Sequence, residues 1–420
     1  MPKVKVQTLI NRRSVDELAI FSGRPAFLNE LYVGRPNIPE RKKLLRRINA
    51  MLDRKWLTNR GPFVLELEAK IADMVGVKHC IATCNGTLAL IIAVRAMQLS
   101  GEVIIPSFTF IATAHALQWE GIKPVFCDVE PRSHNIDVYR LVDLITSRTT
   151  GVIGVHLWGR PCDIDQLTSI TKRHGLRLLF DAAHAFGCSY KGHMIGAFGD
   201  AEIFSFHATK CFNTFEGGAI VTNDDKLAEK LRLMKNFGFR GFDNVISLGL
   251  NAKMSEVAAV MGLTNLEGIV DFITINHKHY RQYSKELSNV LGIRLIAFDE
   301  EEKNNYHYIV IEIDENVTKV NRDDFVKILH AENVIARRYF YPGCHNMEPY
   351  RSLYPGAGMT LPETEKLANR VLCLPTGTAV KPGDINKICQ IIRFIATNGE
   401  EIKRKLIGKD DKNKKTQPVM

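Results

Sequence analysis

The sequence predicts an α/β protein, with a large domain on a mostly parallel seven-stranded sheet and a smaller C-terminal α+β domain. Three observations carry this reading. Seven short runs between residues 79 and 223 are apolar almost throughout. Helix-spaced stretches alternate with them, the pattern of buried parallel strands covered on both faces. Beyond about residue 275 strands become fewer and helices longer.

The first 55 residues form a leading segment in which PERKKLLRRINAMLDRKW (39–56) reads as a helix that feeds the large domain. The large domain, 56–275, then runs through the strands HCIAT, EVIIP, PVFCDV, GVIGVHL, LRLLFD, AEIFSF and GAIVTN. TLALIIAVRAMQ, TAHALQW, VYRLVDLIT and DIDQLTSITKRHG separate them, each with helical spacing. The small domain, 276–400, opens with NYHYIVIEID as a strand and DDFVKILHAENV as a helix. KPGDINKICQIIRFIATNGEEIKRK (381–405) reads as one long helix, and residues 401–420 as a basic, disordered tail. There is no repeat and no low-complexity linker.

At 420 residues the chain exceeds what one core usually organises, and 45% apolar with 24% charged residues is ordinary globular composition. No stretch approaches the roughly 20 apolar residues of a membrane span, and the N-terminus has no apolar signal core. Nine scattered cysteines fit reduced thiols in a cytoplasmic protein. Cys80 and Cys84 flank an apolar IAT without a matching second pair, and Cys344–His345 stands alone, so no metal site is expected. The net charge of +10 gathers largely at the ends and is read as solvated surface rather than a nucleic-acid footprint.

Ligands in parallel sheets sit outside the carboxyl ends of the strands. LRLLF runs into Asp181 there, and AEIFSF is followed by Lys210. A carboxylate and a lysine so placed are the two protein groups that pyridoxal phosphate requires, since it forms a Schiff base with a lysine and pairs its ring nitrogen with an acid. CNGTLAL (84–90) supplies a candidate phosphate site, with Gly86 permitting close backbone approach and Thr87 a hydroxyl at a helix N-terminus. That pattern is equally a common turn and cap. Phe110, ending PSFTF, could stack on a flat ring or pack in the core. His184 could touch the cofactor or be a satisfied core histidine, and Ser205 could donate to the phosphate.

NGTLAL, PSFTF, DAAHAFG (181–187), FSFHATK (204–210), EGGAIVTN (216–223) and NAKMSE (251–256) occur in this order and spacing. Together they resemble the DegT/DnrJ/EryC1/StrS sugar aminotransferases over roughly residues 30 to 400. VGRPNI, WLTNRGP, GVHLWGRPCD and YFYPGCHNMEPYR further resemble the nucleotide-sugar 4-aminotransferases of the desosamine and viosamine pathways.

The resemblance implies the fold-type I architecture, with Lys210 as the cofactor-bearing lysine and Asp181 as the ring-nitrogen partner. His184 and Phe110 would contact the ring, and Gly86, Thr87 and Ser205 the phosphate. Asn251 would reach the phosphate of a neighbouring subunit, which makes the working unit a homodimer with shared sites. L-Glutamate is the implied amino donor and dTDP-4-dehydro-6-deoxy-D-glucose the acceptor. Lys253 stands where the family often has arginine, keeping the charge without the planar fork. Asn59, Lys253, Arg338 and His345 are the candidate substrate contacts.

Two alternatives share the resemblance. A 3-aminotransferase tends to carry a different lysine box from the His-Ala-Thr-Lys and Phe-Glu-Gly-Gly found here, and a 3-dehydratase has histidine in place of Lys210. A non-catalytic regulatory member would have lost the lysine or the acid, and both are present.

Overall fold

The computed structural model describes residues 12–415. All seven expected strands form one sheet: β1 (His79–Thr83), β2 (Glu102–Pro106), β3 (Lys123–Cys127), β4 (Thr149–Val155), β5 (Arg177–Asp181), β6 (Ala201–Ser205) and β7 (Gly218–Thr222). Their order is β1-β7-β6-β5-β4-β2-β3. Only β7 runs antiparallel, to both β1 and β6.

The apolar runs are explained by burial on both faces. Successive strand side chains point to opposite sides, so Ile104, Leu178 and Phe180 enter one core while Ile105, Leu179 and Ile203 enter the other. On the first face lie α1 (Arg41–Arg54), α2 (Pro62–Val75), the start of α7 (Glu256–Leu287) and α5 (Ile164–His174). On the second lie α3 (Gly86–Ala96), α4 (Ala112–Trp119) and α6 (Asp225–Met234).

Helix α7 is long and apolar enough to cross a bilayer by length and composition. Its apolar residues instead join two protein cores. Ala259, Val260 and Leu263 pack in the large domain, and Tyr280, Tyr283 and Leu287 in the small one.

The small domain is a three-stranded antiparallel sheet of β8 (Ile293–Leu295), β9 (Ile309–Ile313) and β10 (Val371–Leu374), in that order. Helices α8 (Arg322–Ala331) and α9 (Pro382–Thr397) cover it.

Two expectations change at the ends of the chain. The leading segment does more than feed the large domain, because Val15, Leu18 and Phe27 are buried in the small-domain core. Its backbone is held there by the Glu332 carboxylate, which accepts from the amides of Ala19 at 2.9 Å and Ala26 at 2.7 Å.

At the other end, α9 stops at Asn398 and a separate helix, α10 (Gly399–Lys415), replaces the disordered tail expected over 401–420 as far as Lys415; residues 416–420 lie outside the described residues. A Cβ on Gly399 would lie 1.7 Å from the Thr318 carbonyl oxygen, so the break demands glycine. Ile402 is fully buried and Leu406 packs beside it, one helical turn on. That apolar pair, masked by the surrounding lysines, docks the helix, and Lys405 Nζ reaches Asp16 at 2.6 Å.

Candidate active site

The carboxyl ends of β5 and β6, the N-terminus of α3 and the approach to β9 meet around a cavity of about 430 Å³. Asp181, His184, Ser205, Lys210, Gly86, Thr87 and Phe110, read separately from the sequence, all line it.

Asp181 closes one end and is buried. Its carboxylate accepts from Thr113 Oγ1 at 2.8 Å and from the Ala183 amide at 3.1 Å. Burial outweighs these bonds and holds the group above the usual carboxylate range. A cation arriving at this end would reverse that balance and favour the ionised form.

Lys210 is turned inward, and burial lowers its ammonium to about 8 against the opposing pull of Asp181. Its Nζ lies 3.2 Å from the Tyr308 hydroxyl. His184 is held well below the ordinary imidazole range, by burial first and then by the charges of Lys210 and His307. Its unprotonated Nδ1 accepts from the Trp158 amide at 3.3 Å. Its ring lies nearly parallel to Phe340, 10° off at 5.7 Å. Phe110 meets the edge of Phe340 at 6.3 Å and keeps 55% of its surface exposed toward the cavity mouth.

The opposite wall suits an anion. Asn85 caps α3 by accepting from the Leu88 amide at 2.8 Å, leaving the first-turn amides of Gly86 and Thr87 at the cavity wall. Those amides carry the positive end of the helix dipole. A Cβ on Gly86 would come 3.0 Å from Ser205 Cβ, a tight contact that glycine avoids where the helix start approaches the serine.

A desolvated lysine, a buried acid and a helix N-terminus suited to an anion, around one ring-walled cavity, fit pyridoxal phosphate. Lys210 and Asp181 would hold its reactive carbon and ring nitrogen, and Gly86, Thr87 and Ser205 its phosphate.

The remaining candidates lie elsewhere. Asn251 is exposed and accepts from Lys253 Nζ at 2.7 Å. Lys253 and Asn59 line a second hollow, of about 390 Å³, with Arg60, Arg232, Lys235 and Arg240. Arg338 is exposed, pairs with Asp323 at 3.0 Å and lies over the Tyr341 ring. His345 is buried between Ser107 Oγ, 2.6 Å from Nδ1, and Glu365 Oε1, 2.8 Å from Nε2. It joins the end of β2 to the small domain and does not reach the Lys210 cavity.

Sequence reasoning missed Thr113, Tyr308, Arg337 and Phe340. Thr113 sits one helical turn after Phe110, where a partner for a strand-end acid could have been sought. Tyr308, Arg337 and Phe340 come from the small domain, and no local pattern joins them to the Lys210 box.

Residues 39–393 match the DegT/DnrJ/EryC1/StrS aminotransferase family, and the chain belongs to it. It is a pyridoxal-phosphate-dependent aminotransferase acting on nucleotide sugars. The chain is 36% identical to the dTDP-4-amino-4,6-dideoxy-D-glucose transaminase of Shigella dysenteriae, over 87% of this chain and 99% of that one. It is 35% identical to the GDP-perosamine synthase of Caulobacter vibrioides, over 80% and 91% respectively. The solved structure of DesI in the presence of its TDP-sugar product superimposes with a TM-score of 0.90 at 47% identity, covering 93% of this chain and 99% of that one.

Proposed function

We propose that the Lys210 cavity moves an amino group from L-glutamate to carbon 4 of dTDP-4-dehydro-6-deoxy-D-glucose. The products are dTDP-4-amino-4,6-dideoxy-D-glucose and 2-oxoglutarate. The observation that carries this reading is a desolvated Lys210 and a buried Asp181 converging on one cavity. Near full-length similarity to a transaminase named for this amino sugar supports the choice of acceptor.

Pyridoxal phosphate, when bound, supplies the electron sink for the carbanion formed at the donor carbon. The chain supplies the rest. Lys210 Nζ, near 8, can take a proton from the reacting carbon and return it close to neutral pH. Asp181 provides the buried counter-charge for a cationic ring nitrogen, and Thr113 and the Ala183 amide fix the direction of its carboxylate. Gly86, Thr87 and Ser205 grip a phosphate dianion at the start of α3. His184, Tyr308 and Phe340 wall the cavity with rings, backed by Trp158, and keep water from the reacting carbon.

Asn251 and Lys253 lie outside this cavity, which supports a homodimer in which each copy lends them to its partner's site. The enzyme is proposed to act in the cytoplasm, where nucleotide sugars and glutamate are both at hand. Incubation with glutamate and dTDP-4-dehydro-6-deoxy-D-glucose, with the product read by NMR, tests the reading. An amine on carbon 4 with matching 2-oxoglutarate is expected; an amine on carbon 3, or none, would refute it.

A further inference from the structure

Tyr308 is the residue in contact with the reactive amine to which the family motifs give no part. Its phenol oxygen lies 3.2 Å from Lys210 Nζ, and the amine also sits 5.8 Å from the centre of its ring. The side chain is 7% exposed, wedged between His184 at 4.5 Å and Trp158 at 5.4 Å.

The backbone leading to it is fixed from both sides. Asn305 Nδ2 donates to the carbonyls of His184 at 2.8 Å and Phe186 at 3.1 Å, which ties the segment to the Asp181 turn. The Asn305 side-chain oxygen accepts from the His307 amide at 3.1 Å. His307 Nε2 lies 2.7 Å from the Thr209 carbonyl, one residue before the lysine. Residues 305–308 therefore bolt the small domain to both catalytic loops and set the phenol against the amine.

We propose that Tyr308 is the positioning residue for Lys210, holding the free amine in place whenever the lysine is not covalently engaged. This deepens the transamination reading above and rests on it. A lysine side chain has four rotatable bonds, and a proton carrier that wanders is a poor one. The phenol can hold Nζ in both protonation states. An ammonium donates to the phenol oxygen, and a neutral amine accepts the phenol's own proton. No heavy atom need move, and no proton leaves the tyrosine for good.

The surroundings favour such a neutral, two-way partner. His184 and His307 are desolvated and uncharged, His307 being lowered to about 4. Asp181 is the nearby acid, and Glu216, His207 and Arg337 lie around the cavity wall. Burial keeps the Tyr308 phenol protonated well past its ordinary range.

The test uses the full-length protein freed of cofactor, with the pH profile of Lys210 acetylation read by peptide mass spectrometry. The wild-type profile is expected to have its midpoint near 8. In Tyr308→Phe the ammonium loses its acceptor, and because a charged hydrogen bond is the stronger, the midpoint falls by roughly one unit. In single-turnover mixing of the loaded enzyme with glutamate, the variant reacts roughly tenfold more slowly at unchanged apparent glutamate affinity. Replacing Tyr308 by 3,5-difluorotyrosine keeps the ring and hydroxyl while making the phenol more acidic and its oxygen a weaker acceptor, and it too should move the midpoint. Superimposable acetylation profiles for wild type, Tyr308→Phe and the fluorinated protein would overturn the proposal. That outcome would leave transamination itself standing, since turnover that requires Lys210 is measured separately.

Discussion

The Lys210 cavity and the cationic hollow beside Lys253 are nearly the same size, about 430 and 390 Å³, and differ in how far their charged groups are withdrawn from solvent. In the first, titratable groups are dry and displaced: the lysine and its neighbouring histidines are pushed down, the aspartate up. In the second, Arg60 and Arg240 stand in solvent, and the buried Lys235 is neutralised by Glu68 at 2.7 Å. Proton transfer at carbon needs a base whose affinity lies near neutrality, and desolvation brings Lys210 there. Gripping an anion needs cations that remain charged, which solvent preserves. One chain thus carries the desolvated lysine and acid in one cavity and, apart from it, a second hollow lined by cations.

Three substitutions probe this contrast, in falling order of effect. Lys210→Ala should keep the cofactor through dialysis, as read by absorbance, while turnover falls by at least about 10⁴-fold. Wild-type turnover in that variant would remove the first hollow from the chemistry. Asp181→Asn keeps the shape and deletes the charge, so kcat should drop roughly a hundredfold, about 3 kcal/mol of transition-state stabilisation. An unchanged kcat would show that the ring nitrogen finds its counter-charge elsewhere.

Glu68→Gln belongs to the second hollow's support. It leaves Lys235 buried beside a neutral partner and should lower folding stability by about 3 kcal/mol, read as an earlier urea midpoint, with kcat per folded molecule retained. A loss of kcat at unchanged stability would make the pair part of the chemistry rather than the scaffold.

The large domain was legible because burial on both faces of a parallel sheet writes an unbroken apolar signature, and all seven strands carry it. Asp181 was legible for a related reason, since a charged residue ending an apolar run has few places to be other than a strand's carboxyl end, and Lys210 follows five residues past the end of the neighbouring strand. The docking of α10 was not, because two apolar residues one turn apart, Ile402 and Leu406, are lost among lysines when charge is counted along the chain. Tyr308 was hidden differently. Its role depends on distant loops held by Asn305 and His307, and side-chain bonds across 98 and 121 residues leave no trace in local pattern. His345 shows the converse, since a histidine in a recognisable box proved to be a buried strut between Ser107 and Glu365.

The division between the two hollows has its sharpest test in mixed dimers. One chain carries Lys210→Ala, and the other carries Asn251→Asp with Lys253→Glu; each alone is expected to be inactive. When the two are co-expressed and the mixed species is purified by separate tags, sharing across a dimer predicts one intact site per pair and about half of wild-type activity per dimer. No recovery in the mixed species would contradict the account, because it would place both sets of residues in the service of a single chain.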